Sequence, residues 1–152
     1  MHEITTAVQI VLSQNCNGNE KPRLFGGQLM SWIDVVGAVA ARRFTHRQVT
    51  TVGVDNLSFL KPAFLNDILV QEARVTWTGN TSLEVRVDSF VERKDGAREL
   101  INRAYLSFVA IDENDRPVRV PEFIPETQEE MDDYAGAVER KVNRMYNARS
   151  EG

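Results

Sequence analysis

The sequence predicts an α+β fold: an antiparallel sheet wrapped around a long central helix, with a second helix at the C-terminus. Three observations predict it. Leu24 to Ala41 is almost wholly apolar and opens on Gly26-Gly27, so it reads as a helix enclosed by other structure. From Gln48 to Asp112, apolar and polar residues alternate in four runs broken by turn signals. From Gln128 onward, a charged segment carries apolar residues at helical spacing.

In chain order, Thr5 to Ser13 reads as a first strand, with Ala7, Val8, Ile10, Val11 and Leu12. Gln14 to Pro22 is polar, carries Asn15, Asn17, Gly18 and Asn19, and reads as a loop. The central helix follows and ends near Arg42, Arg43 and His46, cations that complement the helix dipole and are also placed to meet a ligand phosphate. In the next run Val49, Thr51, Gly53, Asp55, Leu57 and Phe59 share one strand face, and Lys61-Pro62 ends it. Leu65 to Thr78 puts Leu69, Gln71, Ala73, Val75 and Trp77 on one side. Gly79-Asn80 reads as a tight turn. In Thr81 to Glu92, Leu83, Val85, Val87, Ser89 and Val91 alternate with Glu84, Arg86 and Asp88. Lys94-Asp95-Gly96 is another hairpin turn, and Leu100 to Asp112 is the last strand. The four strands are expected to follow one another as hairpins.

Pro121 and Pro125 bracket a linker, and Thr127 with Glu130 has the pattern of a capping box. The terminal helix carries Met131, Tyr134, Val138, Val142 and Met145 on one stripe, expected to dock on the body or on a neighbouring subunit. The expected division is residues 1–120 as one domain and 121–152 as linker and helix.

The composition bounds the function. At 152 residues, 42% hydrophobic and 26% charged, the chain suits one domain with a real core. A net charge of -4 gives no general attraction to nucleic acid. Met1-His2-Glu3 opens no signal peptide and no run is long enough to span a bilayer, so a cytoplasmic protein without a membrane partner is expected. Cys16 is the one cysteine, a free thiol in a loop, which excludes an internal disulfide. His2 and His46 lie far apart, and no metal-ligand spacing is present.

Asp34 stands out. It sits among Trp32, Ile33, Val35 and Val36, where an ionised carboxylate is costly unless paired or facing a polar cleft. Either environment suits a catalytic carboxylate. Gly26 and Gly27 lie about two turns earlier, where free amide N–H groups and the helix dipole can stabilise a developing oxyanion.

Asn19, Leu24-Phe25-Gly26-Gly27-Gln28-Leu29-Met30-Ser31-Trp32-Ile33-Asp34, Val52-Gly53-Val54-Asp55-Asn56-Leu57-Ser58-Phe59-Leu60-Lys61-Pro62 and Gly79-Asn80-Thr81-Ser82 occur in this order. Together they resemble the hotdog-fold acyl-CoA thioesterases of the bacterial cytosolic type, over about residues 5 to 112. The resemblance implies hydrolysis of acyl-CoA by dimers with two composite sites, assembled further into tetramers or hexamers. It makes Asp34 the catalytic carboxylate, Gly27 the backbone donor to the thioester carbonyl, Asn19 a loop residue that positions thioester or water, and Thr51 a polar neighbour of the Asp. It runs the pantetheine arm along Val54, Asn56 and Phe59, beside Gly26 and near Thr81 and Ser82. Pro22 departs from the glycine usual in relatives three residues after Asn19, which brings in Asn17 as a competitor for the site asparagine.

Two routes are open for the chemistry. Asp34 activates water as a general base, or attacks directly to form an anhydride. Coenzyme A belongs to the substrate, and no metal or redox cofactor is expected. Two alternatives compete: a hotdog hydratase or dehydratase, which would need a His near the helix start, and a non-catalytic acyl-CoA-binding regulator.

Overall fold

The computed structural model describes residues 2–18 and 20–151. Five strands form one antiparallel sheet: β1 (Thr5–Ile10), β4 (Gln48–Asp55), β5 (Ile68–Thr78), β6 (Ser82–Glu92) and β7 (Arg98–Ile111), in the order β1-β5-β6-β7-β4. Two short strands pair here: β2 (Cys16–Asn17) inside the expected Gln14–Pro22 loop, and β3 (Arg23–Leu24) just after it, so that Leu24 belongs to a strand and the helix starts at Gly26. Helix α1 (Gly26–Thr45) lies on one face of the sheet and helix α2 (Gln128–Glu151) on the other.

β1 is shorter than expected. It ends at Ile10, and Ser13–Asn15 form a 3-10 turn in which Asn15 Oδ1 accepts the Leu12 N–H at 2.9 Å. The hairpin expectation holds for β5-β6-β7 and fails for β4. β4 pairs with β7 at one edge, and residues 56–67 carry the chain to β5, which pairs with β1 near the other edge. Asn56 turns the chain out of β4 with φ 69, and Asn102 Nδ2 holds the departing loop by donating to Asn56 O and Ser58 O at 2.9 Å each.

Two bulges correct the expected strand faces. In β4 the register shifts between Thr51 and Gly53, so Val49, Thr51 and Val54 pair with Ala110, Phe108 and Leu106, while Gly53 and Asp55 pair with Ser107 and Tyr105. Thr51 and Asp55 therefore point to opposite faces, and Leu57 and Phe59 lie beyond the strand. In β5 the shift between Val75 and Trp77 sets Trp77 opposite Glu84, away from Val75. An extra residue reverses the alternation of everything after it.

The core lies between α1 and the sheet. Leu29, Ile33, Val36, Ala40 and Ala41 of α1 pack with Leu83, Val85, Val87, Leu106 and Phe108. Gly37 permits the close approach, since a Cβ there would stand 3.3 Å from Leu106 Cδ2 and 3.4 Å from Phe108 Cζ. The opposite side of α1 is bare, with Met30 43% and Val35 61% exposed. One chain therefore covers only one side of this helix, although its sequence is apolar nearly all round.

α2 docks through charge. Glu84, Arg86 and Asp88, which alternation alone would leave on a solvated face, are buried beneath it. Arg140 bonds both Glu84 oxygens at 2.7 and 2.9 Å and stacks 3.5 Å over the Tyr105 ring. Arg86 pairs with Asp88 at 3.1 Å and with Asp133 at 2.7 Å. Arg103 also pairs with Asp88, whose hydrogen bond raises the Arg103 pKa. The expected stripe of α2 faces out: Met131, Val138, Val142 and Met145 are exposed, and Tyr134 is half-buried.

The predicted capping box forms. Thr127 Oγ1 accepts the Glu130 N–H at 3.1 Å, and Glu130 Oε1 accepts the Glu126 N–H at 2.8 Å. Glu130 Oε2 meets His2 N at 3.1 Å and His2 Nδ1 at 2.9 Å, tying the chain start to α2. Burial pushes the Glu130 carboxyl up, but the bonds from Glu126 and His2 outweigh it and hold the pKa at about 2. Neither α1 nor α2 is long and apolar enough to cross a membrane.

Candidate active site

The site is built from the N-terminus of α1, its second and third turns, and β4. Phe25 is the N-cap, with no side-chain cap, and Gly26 and Gly27 are the first two helical residues. Amides at these positions have no carbonyl one turn back inside the helix, so they are free to bind a ligand oxygen. The approach is held from both sides. Phe25 N–H donates to Asn15 O at 3.1 Å, and Asn15 Nδ2 donates to Gln28 Oε1 at 3.1 Å. Asn15 is thus a positioning residue that sequence reading left among plain loop residues. The signal for it was a polar residue three positions after Leu12, where an Asx-type turn can form. At Gly27 a Cβ would stand 2.6 Å from Phe25 Cε2, so glycine keeps the helix start open beside that ring.

Asp34 is half-buried at the rim of the bare side of α1. Thr51 Oγ1 donates to Asp34 Oδ1 at 2.6 Å, the short distance of a charge-assisted bond. The β4 register makes the pair, because Thr51 precedes the bulge and points toward α1. Phe25, Met30, Val35 and Val52 are exposed apolar side chains on the same elements. A half-buried carboxylate and an exposed hydroxyl are thus framed by bare apolar surface, the kind of patch that marks an interaction or binding site.

Gly27 and Asp34 share a helix but are seven residues apart, a rise of about 10 Å. One carbonyl carbon cannot lie within about 3 Å of both.

A model of the Thioesterase superfamily matches residues 22–97. Over 132 residues the chain is 41% identical to the Bacillus subtilis uncharacterized acyl-CoA thioester hydrolase YkhA, covering 86% of this chain and 77% of that one. The chain belongs to the thioesterase superfamily.

Solved acyl-CoA thioesterases share its fold. An apo-hexameric acyl-CoA thioesterase superposes with a TM-score of 0.86 at 34% identity, covering 95% of this chain and 92% of that one. The Staphylococcus aureus acyl-CoA hydrolase, solved with butyryl coenzyme A, coenzyme A and coenzyme A disulfide, gives 0.84 at 32%, covering 97% and 92%. That hydrolase has also been solved with an asparagine, an aspartate and a threonine each changed to alanine, the first with coenzyme A bound.

The remaining expected residues of this thioesterase-superfamily chain fall in two places. Phe59 packs beside the helix start, its ring 3.9 Å from where a Gly26 Cβ would lie. Val54 faces the α1 side of β4, and Asn56 Nδ2 donates to Arg103 O at 3.1 Å in the loop that follows. Thr81 and Ser82 sit at the β5–β6 turn, where Ser82 pairs with Val109 and Val109 with Thr50. That places Ser82 two strands from β4, on the face opposite Thr51. Asn19 lies outside the described residues, and Asn17 is exposed on β2. Among the described residues, His2, Glu126 and Glu130 bring possible metal-ligand atoms within 4.8 Å of one another. Glu130 already accepts three N–H groups there, so the cluster serves as a clamp on the chain start.

Proposed function

We propose that this protein hydrolyses acyl-CoA, with water, to the free carboxylic acid and coenzyme A. The observation that carries the reading is the 2.6 Å Thr51–Asp34 hydrogen bond at the rim of an open apolar face, on the helix whose start carries two glycines. Spacing supports it. The asparagine, aspartate and threonine substituted in the Staphylococcus aureus hydrolase are separated by 15 and 17 residues, as Asn19, Asp34 and Thr51 are here.

Asp34 is the general base or the nucleophile, held in one orientation by Thr51. As general base it takes a proton from water while the water oxygen attacks the thioester carbon. As nucleophile its oxygen attacks that carbon, and water then cleaves the anhydride. In either route the Gly27 N–H meets the oxyanion as it forms, and the coenzyme A thiolate departs when the tetrahedral intermediate collapses. A thiolate leaves readily, so the reading calls for no metal or redox group. Asn19 positions thioester or water. Gly26, Val54, Asn56 and Phe59 line the pantetheine path; Ser82 lies on the face opposite Thr51, so Thr81 and Ser82 flank that path only from another copy.

The roughly 10 Å between Gly27 and Asp34 on one helix makes the site composite. A second copy packs on the bare side of α1 and β4, so that Gly27 of one copy works with Asp34 of the other. The two-fold arrangement makes two such sites and buries Met30, Val35 and Val52. Hexamers among the relatives support further assembly of these dimers. The protein acts in the cytoplasm.

Steady-state thiol release from acyl-CoAs of increasing chain length tests the reading. Release from at least one supports it. No release from any, with acyl-CoA still bound, assigns the protein to the regulators instead.

A further inference from the structure

We infer that Asn102 is a positioning residue for the coenzyme A arm, holding residues 56–58 so that the Leu57 backbone faces that arm. The inference rests on the proposed function, which runs the pantetheine along Val54, Asn56 and Phe59.

The regular pairing of β4 with β7 stops at Asp55, opposite Tyr105, and the chain turns at Asn56 with φ 69. It does not leave β7. Asn102 Nδ2 donates to Asn56 O and Ser58 O at 2.9 Å each, and Asn56 Nδ2 donates to Arg103 O at 3.1 Å. Leu60 N–H then donates to Ile101 O at 2.7 Å. One amide side chain thus stands in for the ladder bonds that the turn removes.

The donor is what makes asparagine useful at this position. Asn102 is fully buried, and its Oδ1 has no hydrogen-bond partner among the described residues. A buried acceptor without a partner is costly, and an apolar side chain of similar size would avoid that cost. Such a side chain would also leave Asn56 O and Ser58 O unheld.

The consequence falls on Leu57. Two carbonyls two residues apart converge on one nitrogen, so both face β7. In an extended segment the N–H and C=O of the residue between them face the other way. Among the described residues, the Leu57 N–H and C=O make no hydrogen bond, and β4 is an edge of the sheet. A free donor and acceptor on the open side of an edge are what an extended chain pairs with when it adds as a further strand. Pantetheine is such a chain, with secondary amides that offer both an N–H and a C=O. Phe59, two residues on, sets its ring beside Gly26, so the same segment leads to the start of α1.

The test is the full chain with Asn102→Ala beside wild type, reading coenzyme A binding by calorimetry, KM and kcat by thiol release, and thermal unfolding. Kd for coenzyme A and KM for acyl-CoA should each rise about tenfold, with kcat within about threefold. Unchanged Kd and KM overturn the inference. So does a fall in kcat alone, which a role in the reaction or only in the fold would give. If the variant loses its unfolding transition, hydrogen exchange at Leu57 in the wild type decides. Saturating coenzyme A should slow exchange of the Leu57 N–H about tenfold or more. Equal exchange with and without coenzyme A overturns the inference. A wild type that binds coenzyme A but releases no thiol would refute the proposed function alone, because Kd and exchange are read without hydrolysis. A wild type that binds no coenzyme A overturns both.

Discussion

Thr51→Ala removes one hydroxyl and the 2.6 Å bond it donates to Asp34. Bonds to charged groups contribute about 1.5–3 kcal/mol where water is excluded. Thr51 is exposed and Asp34 half-buried in the single chain, which sets the loss at the lower end, about 1.5 kcal/mol. If the bond orients the carboxylate at the reacting carbon, that energy belongs to the transition state, and kcat falls roughly tenfold with KM little changed. Thr51→Ser keeps the hydroxyl and should recover kcat to within about threefold, at some cost in rotamer order on the strand. The assay is thiol release over a range of acyl-CoA concentrations, with thermal unfolding measured on the same samples. Equal kcat in Thr51→Ala and wild type would refute the orienting role. So would a loss in Thr51→Ser as large as in Thr51→Ala, because the hydroxyl would then not be the active element.

Three further outcomes follow from the packing. Arg86 is buried with Asp88 and Asp133, so Arg86→Ala leaves buried carboxylates short of a partner and should lower stability by about 3 kcal/mol in urea unfolding. Gly37→Val adds three carbons where a Cβ alone meets Leu106 at 3.3 Å, so about 1–3 kcal/mol should be lost despite valine's better helix propensity. Glu130 titrates at about 2 when folded and near 4.5 otherwise. Its stabilisation is complete above pH 4.5 and is lost as pH falls through 2, so the melting temperature should drop across that window and drop less in Glu130→Gln.

The helix, the turns and the strand segments were legible because each depends on local pattern. Gly26-Gly27 did open α1, Gly79-Asn80 did close β5 onto β6, and Thr127 with Glu130 did cap α2. The Asp34–Thr51 pair was reachable through the family resemblance, not through spacing, because a helix residue and a strand residue meet only by tertiary packing. What failed depended on partners. No residue type in Val75-Thr76-Trp77 marks the bulge, since all three favour strands, and the neighbouring strand decides where the extra residue goes. Glu84, Arg86 and Asp88 stood out only as the polar side of an alternating strand, because alternation cannot see a helix about 40 residues downstream that brings Asp133 and Arg140 to bury and pair them. α2's stripe was found, but a moment on a helix says that one face is apolar and not whether the chain itself covers it. The same ambiguity affected α1, whose apolar circumference belongs half to this chain's core and half to surface left open.

Thiol release by Asp34→Asn beside wild type, with acyl-CoA binding measured on both, tests the catalytic assignment most directly. Asparagine keeps the size of the side chain and an acceptor for Thr51 but can neither take a proton nor form an anhydride. Release should fall about 10²- to 10⁴-fold while acyl-CoA binding stays within a few-fold. Release at the wild-type rate from Asp34→Asn would contradict the assignment of Asp34 as the reacting carboxylate.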